Sequence, residues 1–266
     1  MRVLTWNINS VRLRLPLLLR LIAEQEPDII ALQETKTQDA FFPRDALQNA
    51  GYPHIHIHGM KGYNGVAILS KIPFAAQDIH DRAGRSDCRH ISVTLPPAYK
   101  NLELHNLYIP AGGDIPDPDL NDKFAHKLDY VEDITAFFAD RYTSDQPLIT
   151  LGDFNIAPLE HDVWSHKQLL NVVSHTPPET TRLESMVQSL NWIDVSRHFV
   201  PPSEKCYTWW SYRNKDWKAS NRGRRLDHIW VTPPLKDTLS RHDILSHMRD
   251  WDSPSDHVPV IIELDL

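Results

Sequence analysis

An α/β sandwich is the fold class this chain predicts, and three observations carry it. The N-terminal stretch reads strand, helix, strand, which is how such a sandwich opens. Strand-type apolar runs then return along the chain, punctuated by proline and glycine, with no segment that reads as a linker. At 266 residues and 41% hydrophobic, the chain can bury a full core without cross-links, as one large domain or two tightly fused halves.

The elements follow in order. Val3–Ile8 is rich in β-formers, Leu13–Gln25 carries apolar residues at helical spacing with Pro16 in the tolerant first turn, and Asp28–Gln33 contains the buried run Ile-Ile-Ala-Leu. His54–His58 alternates with isoleucine, and Asn64-Gly65 precedes Val-Ala-Ile-Leu, so a hairpin-like pair is expected within 54–70. Ile91–Leu95 and Leu102–Ile109 give two further strands, turned at Pro96-Pro97. Asn121–Arg141 places Phe124, Leu128, Val131 and Ile134 on one helical face, with Asp, Lys (Lys127 among them) and His on the other. Strands return at Leu148–Leu151, Tyr207–Trp210, Leu226–Val231 and Val258–Leu264, with a helix over Thr181–Leu190. The 20 prolines fall mostly at junctions, including 177–178, 201–202 and 233–234, which suits long functional loops.

Composition narrows the function. Two cysteines, Cys88 and Cys206, exclude a disulfide framework and a four-cysteine metal site. The N-terminus lacks a secretion signal, and the apolar passage Leu13–Ala23 is interrupted and too short to cross a bilayer, so a soluble cytosolic protein is expected. The net charge of −7 argues against a nucleic-acid partner until its distribution is considered. Between Arg213 and Arg225 six basic residues (Arg213, Lys215, Lys218, Arg222, Arg224, Arg225) face one acid, Asp216, a local balance of +5. An acidic metal site beside a basic phosphate track fits both facts.

The candidate chemistry lies where acids abut apolar runs. Glu34 closes a buried strand and Asn7 lies inside the first one; a hard divalent ion would make such a carboxylate tolerable, and so would a salt bridge to Lys36 or an arginine. Asp153 and Asn155, two apart in Gly-Asp-Phe-Asn, are expected on one face, where an acid and an amide can hold and activate a water; the alternative is a turn whose acid caps a helix near Ala157. Asp227 and the pair Asp256-His257 each precede an apolar strand. Asp227 can orient His257 and favour its imidazolium, leaving Asp256 for an ion, although Ser-Asp-His also reads as a polar turn. Tyr108 ends a strand before a Gly112-Gly113 loop and is placed either to meet a phosphate oxygen or to pack its ring. The aromatic and basic stretch Cys206–Lys218 suits stacking beside bases, with one of Trp209 and Trp210 expected inward and the other outward. His54, His56 and His58 share a strand face but have no acid or cysteine beside them, so a solvated edge is expected rather than zinc.

Taken in order, Asn7, Gln33–Lys36, Gly62–Ile68, Asn106–Pro110, Gly152–Pro158, Arg225–Asp227 and Ser255–Pro259 make the chain resemble the bacterial exonuclease III/AP endonuclease family of the exonuclease–endonuclease–phosphatase superfamily, from Met1 to the C-terminus. The resemblance implies a single domain over 1–266, built as a four-layer α/β sandwich of two mixed β-sheets face to face with helices outside. It implies Mg²⁺- or Mn²⁺-dependent incision of duplex DNA 5′ to abasic sites, with 3′-to-5′ exonuclease and 3′-phosphodiesterase activity, in a monomer of the bacterial cytoplasm associated with the nucleoid.

By the same resemblance Glu34 is the principal metal ligand, with Asn7, Asp153, Asn155, Asp256 and His257 around the ion. Tyr108, Asp153, Asn155, Asp227 and His257 are the catalytic group, while Trp209, Arg213, Lys215, Arg222, Arg224 and Leu226 meet DNA. Arg224 departs from the aromatic or aliphatic residue that usually walls the sugar pocket, and is expected to swing out to a phosphate; Asn9 agrees with bacterial relatives. Two rival classes are a superfamily phosphoesterase acting on a non-nucleic-acid ester, which would need an anchor or another pocket, and a non-catalytic nucleic-acid binder, against which the intact acids and histidine argue.

Overall fold

The structure, a computed structural model, describes residues 1–214 and 216–266, so the expectation for Lys215 lies outside the described residues. Two six-stranded mixed sheets organise it. The first runs, in spatial order, β13 (Leu239–Ile244), β14 (Val260–Leu264), β1 (Arg2–Asn7), β2 (Ile29–Gln33), β4 (Val66–Ser70) and β3 (His54–His58). The second runs β5 (Ala76–Ile79), β6 (His90–Thr94), β7 (Glu103–Tyr108), β8 (Leu148–Asp153), β12 (Asp227–Val231) and β9 (Ile193–Asp194). A short ribbon pairs β10 (Trp209–Trp210) with β11 (Gly223–Arg224).

Each sheet holds one parallel pair, β1–β2 and β7–β8, and each pair is joined by a helical crossover: α1 (Leu15–Gln25) and α3 (Asp122–Arg141). The smaller helices α2 (Arg44–Asn49), α4 (His166–Leu169), α6 (Val195–Phe199) and α7 (Trp217–Ser220) lie in connections, and α5 (Pro177–Ser189) packs beside α3.

Alternation along the strands explains the four layers. Val3, Ile29, Ala31 and Ile68 point between the sheets against Ile91, Leu104, Ile149 and Ile229. The intervening residues Leu4, Trp6, Ile30 and Leu32 face outward onto Leu18, Leu21 and Ile22 of α1. On the far side Leu107, Leu148 and Trp230 meet Val131 and Ile134 of α3 and Leu183 and Met186 of α5. Strands covered on both faces become continuously apolar, which is why the runs were visible in the sequence.

Two polar features fix how the sheets meet. Asn106, wholly buried on β7, donates across the interface to the carbonyls of Leu32 at 3.0 Å and Ala67 at 2.9 Å, and accepts from Gln33 at 2.7 Å. Gly152 has φ 137°, and a Cβ there would sit 1.9 Å from the Leu107 carbonyl oxygen, so only glycine lets β8 run this close to β7.

Several expectations need adjustment. The helix placed at Thr181–Leu190 starts four residues earlier, because Thr176 and Glu179 form a capping box and Pro177-Pro178 occupy its first turn instead of a junction. Strand character in Tyr207–Trp210 is confined to its last two residues. β5 and β13 were not anticipated; both are edge strands with exposed or half-buried polar residues and no apolar alternation. His54–His58 is an edge strand, yet not a solvated one: His56 is buried and its Nε2 lies 2.9 Å from the Asp78 carbonyl of the opposite sheet.

Arg225 is also corrected. It is wholly buried, with Nε 2.7 Å from Asp162 Oδ1, Nη2 2.8 Å from Asp162 Oδ2 and Nη1 2.7 Å from Asp194 Oδ2, so it belongs to the interior and not to a phosphate track. Asp162 pairs with Arg197 as well. This network ties the loop after β8 to the start of β12. Burial alone would raise the Asp162 carboxyl, but the two guanidinium groups outweigh it and hold it far below the usual carboxylate range.

Such a depressed acid contributes stability that is fully present above the free aspartate value, about pH 4, and is lost as pH falls from there toward the folded value. Asp162→Ala, which strands two buried guanidinium groups, is expected to lower unfolding free energy by about 3–5 kcal/mol near neutrality, measured by urea denaturation. The deficit should shrink as pH drops below about 4. A variant as stable as the parent would remove this network from the account of the fold.

Candidate active site

At one end of the sandwich six strand termini converge. Asn7 ends β1 and Glu34 follows β2; Tyr108 ends β7 and Asp153 ends β8, both in the second sheet. β12, antiparallel to β8, brings Asp227 opposite Asp153 in register. Asp256 and His257 precede β14 and enter from the first sheet, where Ser255 Oγ donates to the Asn7 carbonyl at 2.7 Å and Trp6 Nε1 donates to the His257 carbonyl at 3.1 Å.

The Asn7 amide is central. Its Nδ2 donates to Glu34 Oε1 at 2.9 Å and to Asp153 Oδ2 at 2.8 Å, joining acids that belong to different sheets. Tyr108 donates its phenol to Glu34 Oε1 at 2.9 Å, and Lys36 Nζ stands 2.7 Å from Glu34 Oε2. Both readings of Glu34 therefore hold at once: it is part of the acidic cluster and it is paired to Lys36. Its positive φ of 51° turns the carboxylate out of the strand and into the cluster. Burial raises the Glu34 carboxyl, while the Lys36 charge and the Asn7 amide hold it below its ordinary value.

Asp153 and His257 behave as a coupled pair. His257 places Nδ1 2.8 Å from Asp227 Oδ2 and Nε2 3.7 Å from Asp153 Oδ2. Burial disfavours its charge, yet Asp227 and Asp153 raise its pKa to about 10, so the ring is an imidazolium with both nitrogens protonated. An imidazolium has no lone pair for a metal, which favours a phosphate oxygen as its ligand over an ion. Burial, with the negative charge of Asp227, lifts Asp153 to about 7 against the pull of His257. Burial and the charges of Glu34 and Asp153 keep the Tyr108 phenol protonated and thus a donor.

Asn155 reaches the site differently from the strand alternation expected. It lies beyond β8 with φ 53°, and that turn brings its Nδ2 to 3.1 Å from Asp153 Oδ2, while its backbone N–H meets Asp153 Oδ1 at 2.9 Å. Asp256 accepts from Trp209 Nε1 at 3.0 Å and from Asn9 Nδ2 at 3.2 Å. Trp210 is buried and Trp209 half-buried at the cleft, matching the inward and outward expectation.

The cluster's charge tests whether a metal fits. With every group counted as ionised, four carboxylates, Glu34, Asp153, Asp227 and Asp256, oppose two cations, Lys36 and His257, a formal balance of −2 at a largely buried site. Asp227 Oδ1 is buried without a hydrogen-bond partner. An all-oxygen, doubly negative donor set suits a hard divalent cation.

A cleft of about 570 Å³ leads away from these acids, lined by Trp209, Arg213, Arg222, Arg224 and Leu226. Arg222 lies 4.7 Å from the Trp164 ring centroid. The basic track is narrower than the sequence suggested, since Lys218 pairs with Asp250 and Arg225 is interior. Arg224 does not swing outward: Nη1 donates to the Val173 carbonyl at 2.9 Å and to Ser174 Oγ at 2.7 Å.

Sequence reasoning missed supporting residues. Arg89 lies 4.6 Å over the Tyr108 ring centroid and donates to the Tyr108 carbonyl and to Asn64 Oδ1. Lys127, wholly buried, pairs with Glu179 at 2.5 Å and donates to the Asn155 carbonyl at 2.8 Å. Helix periodicity had put Lys127 on the solvent side of α3, and nothing local signals a buried partner. His80, His90 and His105 also gather behind the second sheet. Arg82 Nε donates to His90 Nδ1 at 3.0 Å, which makes His90 Nε2 the donor to His105 Nδ1 at 2.9 Å, so this chain consumes those lone pairs internally.

Comparison with known proteins agrees with this geometry. The Endonuclease/Exonuclease/phosphatase family model matches residues 4–257. Exodeoxyribonuclease III of Haemophilus influenzae is 29% identical over 99% of both chains. An AP endonuclease from Archaeoglobus fulgidus superposes with a TM-score of 0.92 at 29% identity, covering all of both chains. A 3′ phosphatase from Neisseria, solved with a product DNA hairpin, superposes with a TM-score of 0.89 at 31% identity, again over all of both chains. A six-on-six sandwich whose strand ends gather these acids, matched end to end, places the chain in the endonuclease/exonuclease/phosphatase family, in its exonuclease III/AP endonuclease branch.

Proposed function

We propose that this chain is a DNA repair nuclease that hydrolyses the phosphodiester 5′ to abasic sites in duplex DNA, with 3′-to-5′ exonuclease and 3′-phosphodiesterase activity. The observation that carries the reading is the convergence of Glu34, Asp153, Asp227 and His257 around the Asn7 amide at the head of a basic, Trp-lined cleft. Residues 1–266 act as one catalytic unit, a monomer of the bacterial cytoplasm that works on the nucleoid.

In this reading Glu34 is the main ligand of a Mg²⁺ or Mn²⁺ ion, with Asp256, the Asn7 side chain and the Asp153–Asn155 pair close to it. The bound ion would supply charge neutralisation at the phosphoryl oxygens and a more acidic attacking water. Asp153 takes the proton of the attacking water, with Asn155 fixing that water's orientation through hydrogen bonding. His257, held as a cation by Asp227, donates to a non-bridging phosphate oxygen and offsets the charge that grows there in the transition state. Tyr108, kept protonated, donates to the phosphate as the Lys36–Glu34–Tyr108 contacts rearrange around substrate. Trp209 and Leu226 wall the pocket beside the scissile bond, and Arg213 and Arg222 meet the backbone.

Because Asp153 and His257 act mainly in the transition state, Asp153→Ala and His257→Ala are each expected to slow incision of a duplex bearing one abasic analogue by at least ~100-fold while leaving duplex affinity within a few fold. Gel-based single-turnover kinetics beside a binding titration would measure both. Rates near the parent's in both variants would end the assignment, and cleavage of a soluble phosphoester with no incision of DNA would favour the phosphoesterase reading. Chelation with EDTA should abolish incision, and Mg²⁺ or Mn²⁺ should restore it. Glu34→Gln should raise the metal concentration needed for half-maximal rate by about tenfold or more, through loss of a charged ligand. An unchanged requirement would move the ion away from Glu34.

A further inference from the structure

Arg224 sits in the active-site cleft with a job that phosphate hydrolysis itself leaves unassigned. Its guanidinium lies 5.3 Å from the Trp209 ring centroid, and its head is pinned by the Val173 carbonyl and Ser174 Oγ, both neutral oxygens. Nε is buried without an acceptor, and among the described residues no carboxylate comes within 4.0 Å of the group. Glu179, the acid that most influences it, is already engaged by Lys127. A largely buried cation with two fixed neutral partners at Nη1, a sealed Nε and, beside the cleft, an Nη2 without a partner among the described residues carries an unpaid desolvation cost, which an incoming anion would relieve at Nη2.

Trp209 links that group to the acids. The indole donates to Asp256 at one end and lies beneath Arg224 at the other, so it spans the distance from the acids to the guanidinium. Glu34, Asp256 and His257 line the same cleft as Trp209, Arg224 and Leu226. The cleft thus has room for an ester substituent of a phosphorus held against His257 to extend along the indole toward Arg224.

We propose that Arg224 is a seat for a second anionic group carried on that substituent, so that this chain selects 3′ ends blocked by a small acidic fragment over ends blocked by an uncharged one. The inference rests on the nuclease reading above. A carboxylate would meet the guanidinium in a charge-assisted hydrogen bond at Nη2, whereas a neutral substituent leaves the cation buried and unpaired; a site built this way discriminates mainly by that penalty. The reaction is unchanged hydrolysis. Water adds to phosphorus, the bond from phosphorus to the DNA 3′ oxygen breaks, that oxygen leaves as a 3′-hydroxyl, and the fragment departs as its phosphate ester.

The test uses the full-length protein with Mg²⁺ and nicked duplexes ending in a 3′-phosphoglycolate or a 3′-phospho-2-hydroxyethyl ester, which are similar in size and differ by one charge. A duplex with an internal tetrahydrofuran serves as the third substrate. The parent is expected to process the glycolate end at least ~10-fold better in kcat/KM, with the difference mostly in KM. Arg224→Leu should bring the two ends within about twofold of each other, and Arg224→Lys should keep part of the preference, since it retains the charge and loses the guanidinium's anchoring to Val173 and Ser174. Thermal unfolding of each variant identifies loss of folding, and Arg224→Gln serves if leucine fails to fold. A parent indifferent to the charge, or an Arg224→Leu or Arg224→Gln variant that keeps the preference, would sink the seat alone. A parent that cuts none of the three substrates sinks the nuclease reading and the seat together.

Discussion

Two acids from opposite sheets, Glu34 and Asp153, approach one another at the mouth of the sandwich, and a single amide, Asn7, donates to both. Everything in the site depends on keeping that like-charge approach tolerable. Lys36 compensates one acid, the His257 imidazolium compensates the other, and the residual −2 defines what is still missing. The same electrostatic demand explains the protonation pattern: carboxylates crowded out of water hold His257 charged and keep Tyr108 protonated.

The sheets themselves supply the alignment. Parallel pairs β1–β2 and β7–β8 end at the same edge of the sandwich, so the residues terminating them are brought together by the covering of apolar faces and need no local motif. Asn106 and Gln33 lock the two sheets with buried hydrogen bonds just below the acids, and Gly152 admits the β7–β8 approach that sets Tyr108 opposite Asp153. The buried Asp162–Arg225–Asp194 network then fixes the start of β12, and with it Asp227, behind His257. Geometry at the acids is thus held by polar contacts one shell away, each of them satisfied only in this arrangement.

Much of this was legible in the sequence because an acid that abuts an apolar run, before or after it, is carried to where a buried strand meets solvent or a ligand. Glu34, Asp153, Asp227 and Asp256 all have that form, and the structure brings them to one end. The layer order followed from strands apolar on both faces. What local pattern did not encode was pairing across long separations. Lys127 looked like a solvent-facing helix residue and Arg225 like part of a basic track, yet both are neutralised by acids 52 and 63 positions away. The edge strands β5 and β13 carry too little apolar alternation to register, and the histidines that assemble, 80, 90 and 105, come from separated segments, unlike the regular 54, 56 and 58.

β14 lies between β13 and β1, so the segment that delivers Asp256 and His257 is also an interior strand of the first sheet. A chain halted during synthesis after residue 250 would possess Glu34, Asp153 and Asp227 yet lack the imidazolium, and the first sheet would be split beside β1. The hydrolytic centre and the closure of that sheet are completed by one event, the insertion of the final strand beside the first, which leaves no partly made form of the polypeptide with a finished set of reactive groups.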